Sequence, residues 1–119
     1  MTVPQIAHRL VELCNQGNFE QAQKELFSED AISIEPEDSP GFEKETKGLA
    51  AILEKGKKFG SMVEETYGCN VSDPLVAGNV IALLLNMDVK MKGKERSALS
   101  EICVYKVKDE KIISEQFFM

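Results

Sequence analysis

The C-terminal third of the chain, residues 78–119, constrains the fold most, because it is typical of a continuous β-meander. Three strands are predicted, at residues 79–91, 96–108 and 112–119. Short polar segments at residues 92–94 and 109–111 separate these strands and supply turn residues. A sheet this long and this apolar must bury one of its faces. We therefore expect the preceding residues to form the layer that covers it.

Apolar residues at helical spacing predict three helices before the meander. They are expected at about residues 2–16, 19–27 and 48–59. Gly17 and Gly60 are expected to end the first and third helices, because glycine adopts the left-handed cap conformation readily. Asn18 and Thr46 are expected to cap the N-termini of the second and third helices with their side chains.

Between the helices, apolar and polar residues alternate at positions 31–35, which predicts a strand that ends at Pro36. Residues 36–47 are rich in proline, glycine and charge, and they predict a surface loop or a lid. A further strand is predicted at residues 62–71. The chain is thus expected to form one domain over residues 1–119, with an α+β fold. About three helices pack on a curved, mostly antiparallel sheet and leave a conical space at one end.

Composition argues against several classes of function. The formal charge of -6 leaves the chain without the basic surface that nucleic acid or an anionic membrane requires, and no apolar run is long enough to span a bilayer. Three scattered cysteines predict reduced thiols in a cytoplasmic protein. A single histidine and the absence of phosphate-binding or dinucleotide fingerprints predict no metal site and no cofactor. The basic cluster at residues 55–58 is interpreted as a solvated helix end.

Five short segments occur in a characteristic order along the chain. They are NQGN at 15–18, LFSEDA at 26–31, TKG at 46–48, KDEKI at 108–112 and EQFF at 115–118. Together they resemble the SnoaL-like branch of the NTF2-like (cystatin-like cone) superfamily, over nearly the whole chain. The resemblance implies the cone fold. It does not decide the function, because the superfamily holds ketosteroid isomerase, polyketide cyclases, dehydratases and transport adaptors.

Glu35, at the end of the first predicted strand, is the first candidate catalytic residue. The resemblance places the proton-shuttling aspartate of ketosteroid isomerase at the matching position, after a similar Phe-x-x-Asp-Ala run. At the rim of an apolar cone, desolvation would disfavour the charged form of Glu35, as a base acting next to a carbonyl requires. The alternative is a solvated loop carboxylate beside Glu37 and Asp38.

The same resemblance implies an oxyanion hole built from a tyrosine and a protonated carboxylic acid. The matching helix position offers only Leu10 or Val11, so steroid isomerisation by that machinery is not expected. The acid position corresponds to Cys103, or to Glu101 if the strand slips by two residues. Glu101, Cys103 and Tyr105 share one strand face. Glu101 is therefore the second candidate catalytic residue. The alternative is that it bonds to a neighbouring strand residue or lies on a solvated or dimer face.

The first long meander strand gives the clearest face assignment, because its odd-numbered residues from 83 to 91 are all apolar and should face the cone. The predicted pocket-lining residues are Leu85, Met87, Cys103, Tyr105 and Phe117. The final strand's own pattern leaves its parity open, and the resemblance favours Phe117 inside. The other face of the sheet is predicted to join two copies in a homodimer. Its apolar residues are Leu84, Ile102, Val104 and Phe118.

Three functional hypotheses follow. In the first, the chain is a SnoaL-like homodimer that binds a small apolar ligand in each cone. In the second, it is an isomerase, cyclase or dehydratase that uses Glu35 as general base on a carbonyl-containing substrate. In the third, it is a dimerisation module whose cone is filled by its own side chains.

Overall fold

The computed structural model describes residues 1–38 and 41–119 of the chain. Its helices are α1 (Val3–Asn15), α2 (Phe19–Leu26) and α3 (Leu49–Met62). Its strands are β1 (Phe27–Ile34), β2 (Glu45–Lys47), β3 (Val63–Val71), β4 (Leu75–Ala77), β5 (Val80–Met91), β6 (Arg96–Lys108) and β7 (Lys111–Phe118). No helix within these two ranges is long and apolar enough to cross a membrane.

The strands form one sheet in the order β2-β1-β7-β6-β5-β3, and β4 pairs with part of β5. Among the strands of the described residues, all pairs are antiparallel except β1 and β7, which run parallel. These two strands lie far apart in sequence, so no hairpin forces them to be antiparallel. Their pairing places Ser33 opposite Glu115. The α+β class and the mostly antiparallel sheet are confirmed.

The helices cover one face of the sheet, and the core lies between the two layers. The apolar stripe of α1 turns Ile6, Leu10 and Leu13 into this core, and α3 contributes Ile52. Burying an aliphatic side chain of this size stabilises the fold by about 1.5–3 kcal/mol. The sheet supplies alternate residues of its two longest strands: Ile81, Leu83 and Leu85 from β5, and Cys103, Tyr105 and Val107 from β6.

The first strand and the loop after it differ from the prediction. β1 begins at Phe27, which pairs with Ile112, and not at residue 31. An irregularity between Phe27 and Ile32 contains the polar residues 28–30, and these hide the alternation that marks a strand. The predicted loop at residues 36–47 is wrong at its end, where residues 45–47 form β2. Positions 39 and 40 of that predicted loop or lid lie outside the described residues.

Both predicted side-chain caps are wrong. Thr46 lies in β2, and Gly48 precedes α3 with a left-handed φ of 94°. Asn18 makes no capping hydrogen bond, and its side-chain Nδ2 donates to Gln16 Oε1 at 3.2 Å.

The two glycines that were predicted to end helices behave differently. Gly17 has a left-handed φ of 77° and follows α1, as expected. Gly60 lacks a left-handed φ, so the helix passes through it and ends at Met62. The carbonyl of Gly60 accepts a hydrogen bond from the backbone N–H of Val63.

Candidate functional site

A cavity of about 640 Å³ lies between the sheet and the helices. Its walls are mainly apolar and come from β3, β5, β6 and β7 on one side and from the helices on the other. Phe19, Ile52, Phe59, Leu83 and Val89 belong to this apolar wall. Small-molecule sites in proteins have volumes of roughly 300–1,000 Å³, so the cavity is of a suitable size for a ligand.

All five residues predicted to line the pocket lie against this cavity. They are Leu85, Met87, Cys103, Tyr105 and Phe117. The strand register explains why they meet, because Cys103 pairs with Leu83 on one side and with Phe117 on the other. Phe117 therefore faces the cone, which decides the parity of the last strand. Their role in binding a ligand stays a prediction.

Glu101 also lines the cavity, on the same face of β6 as Cys103. Glu101 therefore lies at the cavity, as its candidate catalytic role requires, and not on a solvated or dimer-facing surface. Burial raises the pKa of the Glu101 carboxyl, and the negative charge of Glu35 raises it further, whereas Lys55 acts in the opposite direction. The carboxyl thus holds its proton to a higher pH than an exposed glutamate does.

Glu35 lies at the edge of the cavity and not in its lining. Its carboxylate Oε1 accepts a hydrogen bond from Lys55 Nζ at 3.0 Å, and its side chain is 28% exposed. Lys55, on α3, does line the cavity and is 16% exposed. The structure therefore places a lysine between Glu35 and the cavity. The interpretation of Lys55 as a solvated residue at a helix end is wrong.

A chain of hydrogen bonds leads from Lys55 to the inside of the sheet. Lys55 Nζ donates to Ser33 Oγ at 2.6 Å, and Ser33 Oγ donates to Glu115 Oε2 at 2.7 Å. The directions are fixed because an ammonium group has no acceptor. The Ser33 hydroxyl must accept from Lys55, and its own proton is then available to Glu115.

Glu115, on β7, is buried and lines the cavity next to Phe117. Burial raises the pKa of its carboxyl to about 7, although the Ser33 hydrogen bond and the charge of Lys55 act to lower it. The charges of Glu35 and Glu101 add a smaller upward shift to this pKa. Glu115 is therefore a carboxyl group that gains and loses its proton near neutral pH.

The thiols and the phenol around the cavity are held in their neutral forms. Burial raises the pKa of Cys14 to about 12, and it also raises the pKa of Cys103. Burial and the charge of Glu115 raise the pKa of Tyr105 well above its usual value. Since the thiolate is the nucleophilic form of cysteine, these thiols are poor nucleophiles at neutral pH.

Sequence reasoning did not select Lys55, Ser33 or Glu115 as site residues. Lys55 stands in a basic cluster on a helix, and such clusters are usually solvated. Ser33 follows the alternation of β1, which placed it on one strand face without naming a partner. Glu115 shares its parity with Phe117, so an inward assignment of Phe117 was the available signal for an inward carboxylate.

The site therefore combines apolar walls with a small polar region made by Lys55, Glu101 and Glu115. An ammonium group in this region can hold or polarise a carbonyl oxygen. A carboxyl group that titrates near neutrality can accept or return a proton. The arrangement is suited to binding an apolar molecule that carries one polar group.

Comparison with protein families gives one match over the full chain, in which residues 1–119 match the SnoaL-like domain. No curated protein matches the chain. Among solved structures, a candidate SnoaL-like polyketide cyclase from Mesorhizobium loti is 31% identical. The alignment covers 100% of both chains with a TM-score of 0.92.

More distant neighbours share the fold. An NTF2-like protein of unknown function from Burkholderia pseudomallei is 12% identical, with a TM-score of 0.82 over 100% of this chain and 92% of its own. A protein from Catenulispora acidiphila with a ketosteroid isomerase-like fold, solved in complex with trimethylamine, is 17% identical. Its TM-score is 0.74 over 99% of this chain and 87% of its own.

Proposed function

Because the chain belongs to the SnoaL-like family of NTF2-like proteins, we propose that it binds a small, neutral and mainly apolar molecule in its cone. The observation that carries this proposal is the cavity of about 640 Å³, with mainly apolar walls and a few polar groups. Pockets that bind small molecules usually have this combination of shape and chemistry.

The charges around the cavity favour a neutral ligand. Among the described residues, four glutamates contribute to its lining, Glu64, Glu65, Glu101 and Glu115, and of these Glu64 pairs with Lys90. Within the described part of the chain, Lys55 is the single basic side chain in this lining, and Glu35 already pairs with it. An anionic ligand would therefore meet a negative potential. Similarity to a candidate polyketide cyclase supports a carbonyl as the polar group of the ligand.

The first experiment is native mass spectrometry of freshly purified protein, followed by thermal-shift measurements with β-tetralone and β-naphthol. Both compounds are neutral, compact and apolar, with one oxygen. At about one hundred times the Kd, binding adds about 2.7 kcal/mol to the stability of the folded state. A gain of this size raises Tm by several degrees.

Two tryptophan variants test whether binding occurs in the cavity. Met87→Trp fills space in the cavity, whereas Lys106→Trp adds the same bulk to the exposed face of β6. We expect the first variant to abolish the thermal shift and the second to retain it. Equal shifts in both variants, or no shift with any neutral carbonyl compound, would contradict the proposal.

A second candidate function is catalysis by an isomerase, cyclase or dehydratase. The carboxyl groups at the cavity and the similarity to a candidate polyketide cyclase support it. In this proposal Glu35 is the general base, acting on a substrate that reaches past Lys55. The variant Glu35→Gln separates the two functions: ligand binding should persist in a pure binding protein, whereas turnover should collapse in an enzyme that uses this base.

A third hypothesis, a dimerisation module with a filled cone, receives less support because the cone holds an open cavity. Dimerisation itself is compatible with a ligand pocket. We propose that two copies associate through the outer face of the sheet, where Ile102 and Phe118 are 44% and 48% exposed.

A further inference from the structure

We propose that Glu115 is the catalytic base of this cavity and that it removes a proton from the carbon next to the carbonyl of a neutral ketone. Ser33 positions the base, and Lys55 stabilises the oxygen of the enolate that forms. The inference rests on the proposed function, because the substrate must first bind in the cone. It differs from the Glu35 hypothesis in the residue that moves the proton.

The position of Glu115 supports this role. Its side chain is only 4% exposed, and it lines the cavity between Tyr105 and Phe117. Ser33 binds one carboxylate oxygen, Oε2, at 2.7 Å. The other oxygen, Oε1, is then the one available to a ligand. A carboxylate held by one oxygen on a rigid strand presents the other in a fixed direction, as general base catalysis requires.

Lys55 supplies the positive charge for the developing oxyanion. Its ammonium group has three protons, of which one is donated to Ser33 and one to Glu35. The third proton is available to a ligand, because Lys55 lines the cavity and its Nζ lies 5.8 Å from the centre of the Phe117 ring. A preorganised donor of this kind lowers the energy of an enolate in a water-poor site.

The proposed step balances without any added reagent. The C–H bond next to the carbonyl breaks, and its electron pair forms the C=C bond of the enolate while the carbonyl oxygen becomes negative. Glu115 Oε1 gains the proton. Return of a proton from Glu115 to the same carbon gives exchange, and in an unsaturated ketone, whose dienolate also accepts a proton at the γ-carbon, return to that carbon gives an isomer. The carboxylate is regenerated in both cases.

Glu35 is less well placed for this step. Its side chain is outside the cavity lining, it is 28% exposed, and Lys55 occupies its carboxylate at 3.0 Å. In the proposed arrangement Glu35 is a positioning residue that holds Lys55. Glu37, two residues later, is exposed and provides a matched control carboxylate.

The test is the rate at which the protein incorporates deuterium from D₂O into β-tetralone, followed by NMR spectroscopy. The wild-type protein, Glu115→Gln, Glu35→Gln and Glu37→Gln are compared. General base catalysis contributes roughly a factor of 10²–10⁴, so we expect Glu115→Gln to lose at least about a hundredfold. Glu35→Gln should lose less than this, and Glu37→Gln should match the wild-type protein.

Each outcome decides between the proposals. Loss of exchange in Glu115→Gln with retained β-naphthol binding supports Glu115 as the base. A large loss in Glu35→Gln alone overturns this assignment and supports Glu35. Binding of β-tetralone to the wild-type protein without exchange overturns the inference and leaves the proposed binding function intact. Absence of both binding and exchange overturns both.

A second variant, Ser33→Ala, tests the positioning role through the pH profile. The Ser33 hydrogen bond lowers the pKa of Glu115, so its removal should move the midpoint of the exchange profile to higher pH. The other titratable groups that face Glu115 are Lys55, Glu35, Glu101, Cys103, Tyr105 and Cys14. A lower rate with an unmoved midpoint would overturn the assignment, because a purely structural role of Ser33 would not change the titration.

Discussion

Burial of Glu115 beside Tyr105 and Cys103 sets the electrostatics of the cone at the scale of single residues. An ionised carboxylate in an apolar interior is unfavourable unless hydrogen bonds and opposite charge compensate it. Ser33 and Lys55 supply part of this compensation. It is incomplete, because desolvation still raises the pKa of Glu115 to about 7. The residue therefore titrates near neutral pH.

This raised pKa makes stability depend on pH. The unfolded chain releases the proton of Glu115 near pH 4.5, whereas the folded chain keeps it until about pH 7. The stabilisation is therefore fully present below pH 4.5 and is lost as the pH rises through 7. We expect the free energy of unfolding to fall across this window by up to about 3 kcal/mol. The raised pKa of Glu101 acts in the same direction.

Urea unfolding at a series of pH values between about 5 and 8 measures this effect. The variant Glu115→Gln should flatten the slope, and Glu37→Gln should leave it unchanged. Identical slopes in the wild-type protein and in Glu115→Gln would mean that Glu115 does not titrate in this window.

The charge of Lys55 also affects the pKa of Glu115, so the direction in which this pKa changes when Lys55 is removed can be predicted. The positive charge of Lys55 lowers the pKa of Glu115. In Lys55→Met we therefore expect the pKa of Glu115 to rise, which side-chain carboxyl NMR shifts can follow. Lys58→Met is the matched control, because Lys58 lies on the same helix but contacts the Gly41 carbonyl and the Phe42 ring outside the cavity. An equal shift in both variants would exclude a specific interaction with Lys55.

At the scale of elements, the hairpin between β6 and β7 carries local strain. Asp109 and Glu110 form its turn, with left-handed φ values of 51° and 63°. Two-residue hairpin turns of the mirror-image type require this conformation, and glycine adopts it without a steric penalty. We expect Glu110→Gly to raise the urea midpoint, because the relief of strain outweighs the loss of an exposed ion pair with the N-terminus. Glu95→Gly, in the neighbouring turn without a left-handed φ, should not raise it.

The strand faces were the part of the structure most accessible from sequence. In β5 the odd-numbered residues from 83 to 91 are all apolar, whereas the even-numbered ones are polar from Asn86 onwards, which indicates the buried face because strand side chains alternate. Register then carries this assignment across β6 to Phe117. Lys55 could not be assigned in this way, because a lysine buries its aliphatic stem and places its charge wherever a partner lies. The Ser33–Glu115 contact joins residues 82 positions apart, and no local pattern encodes it.

At the scale of the whole molecule, the parallel pairing of β1 and β7 assembles the polar end of the cavity. Ser33 comes from β1, Glu115 from β7 and Lys55 from α3, and each element is positioned by the sheet or by packing on it. The strands β1 and β7 are distant in sequence, and they must pair before the three groups come together. Substitutions that weaken the β1–β7 pairing should therefore affect the site and the stability of the sheet together.

The outer face of the sheet gives the last prediction. Leu84 pairs with Ile102, and Ile102 pairs with Phe118, so three apolar side chains form a row across β5, β6 and β7. Such a row is self-complementary about a twofold axis, which is the commonest symmetry of homodimers. We expect the wild-type protein to be a dimer by light scattering and Ile102→Lys to be a monomer that remains folded.

Val76→Lys is the control for that substitution. Val76 is 40% exposed, similar to the 44% of Ile102, but its partner Ile81 points into the core, so it lies on the other side of the sheet. A lysine there should leave the dimer intact, because it adds charge without entering the proposed interface. A stable dimer buries about 800 Å² on each partner, and one charge at the centre of such an area is costly to desolvate. A monomeric wild-type protein, or a dimer that persists in Ile102→Lys, would exclude this face as the interface.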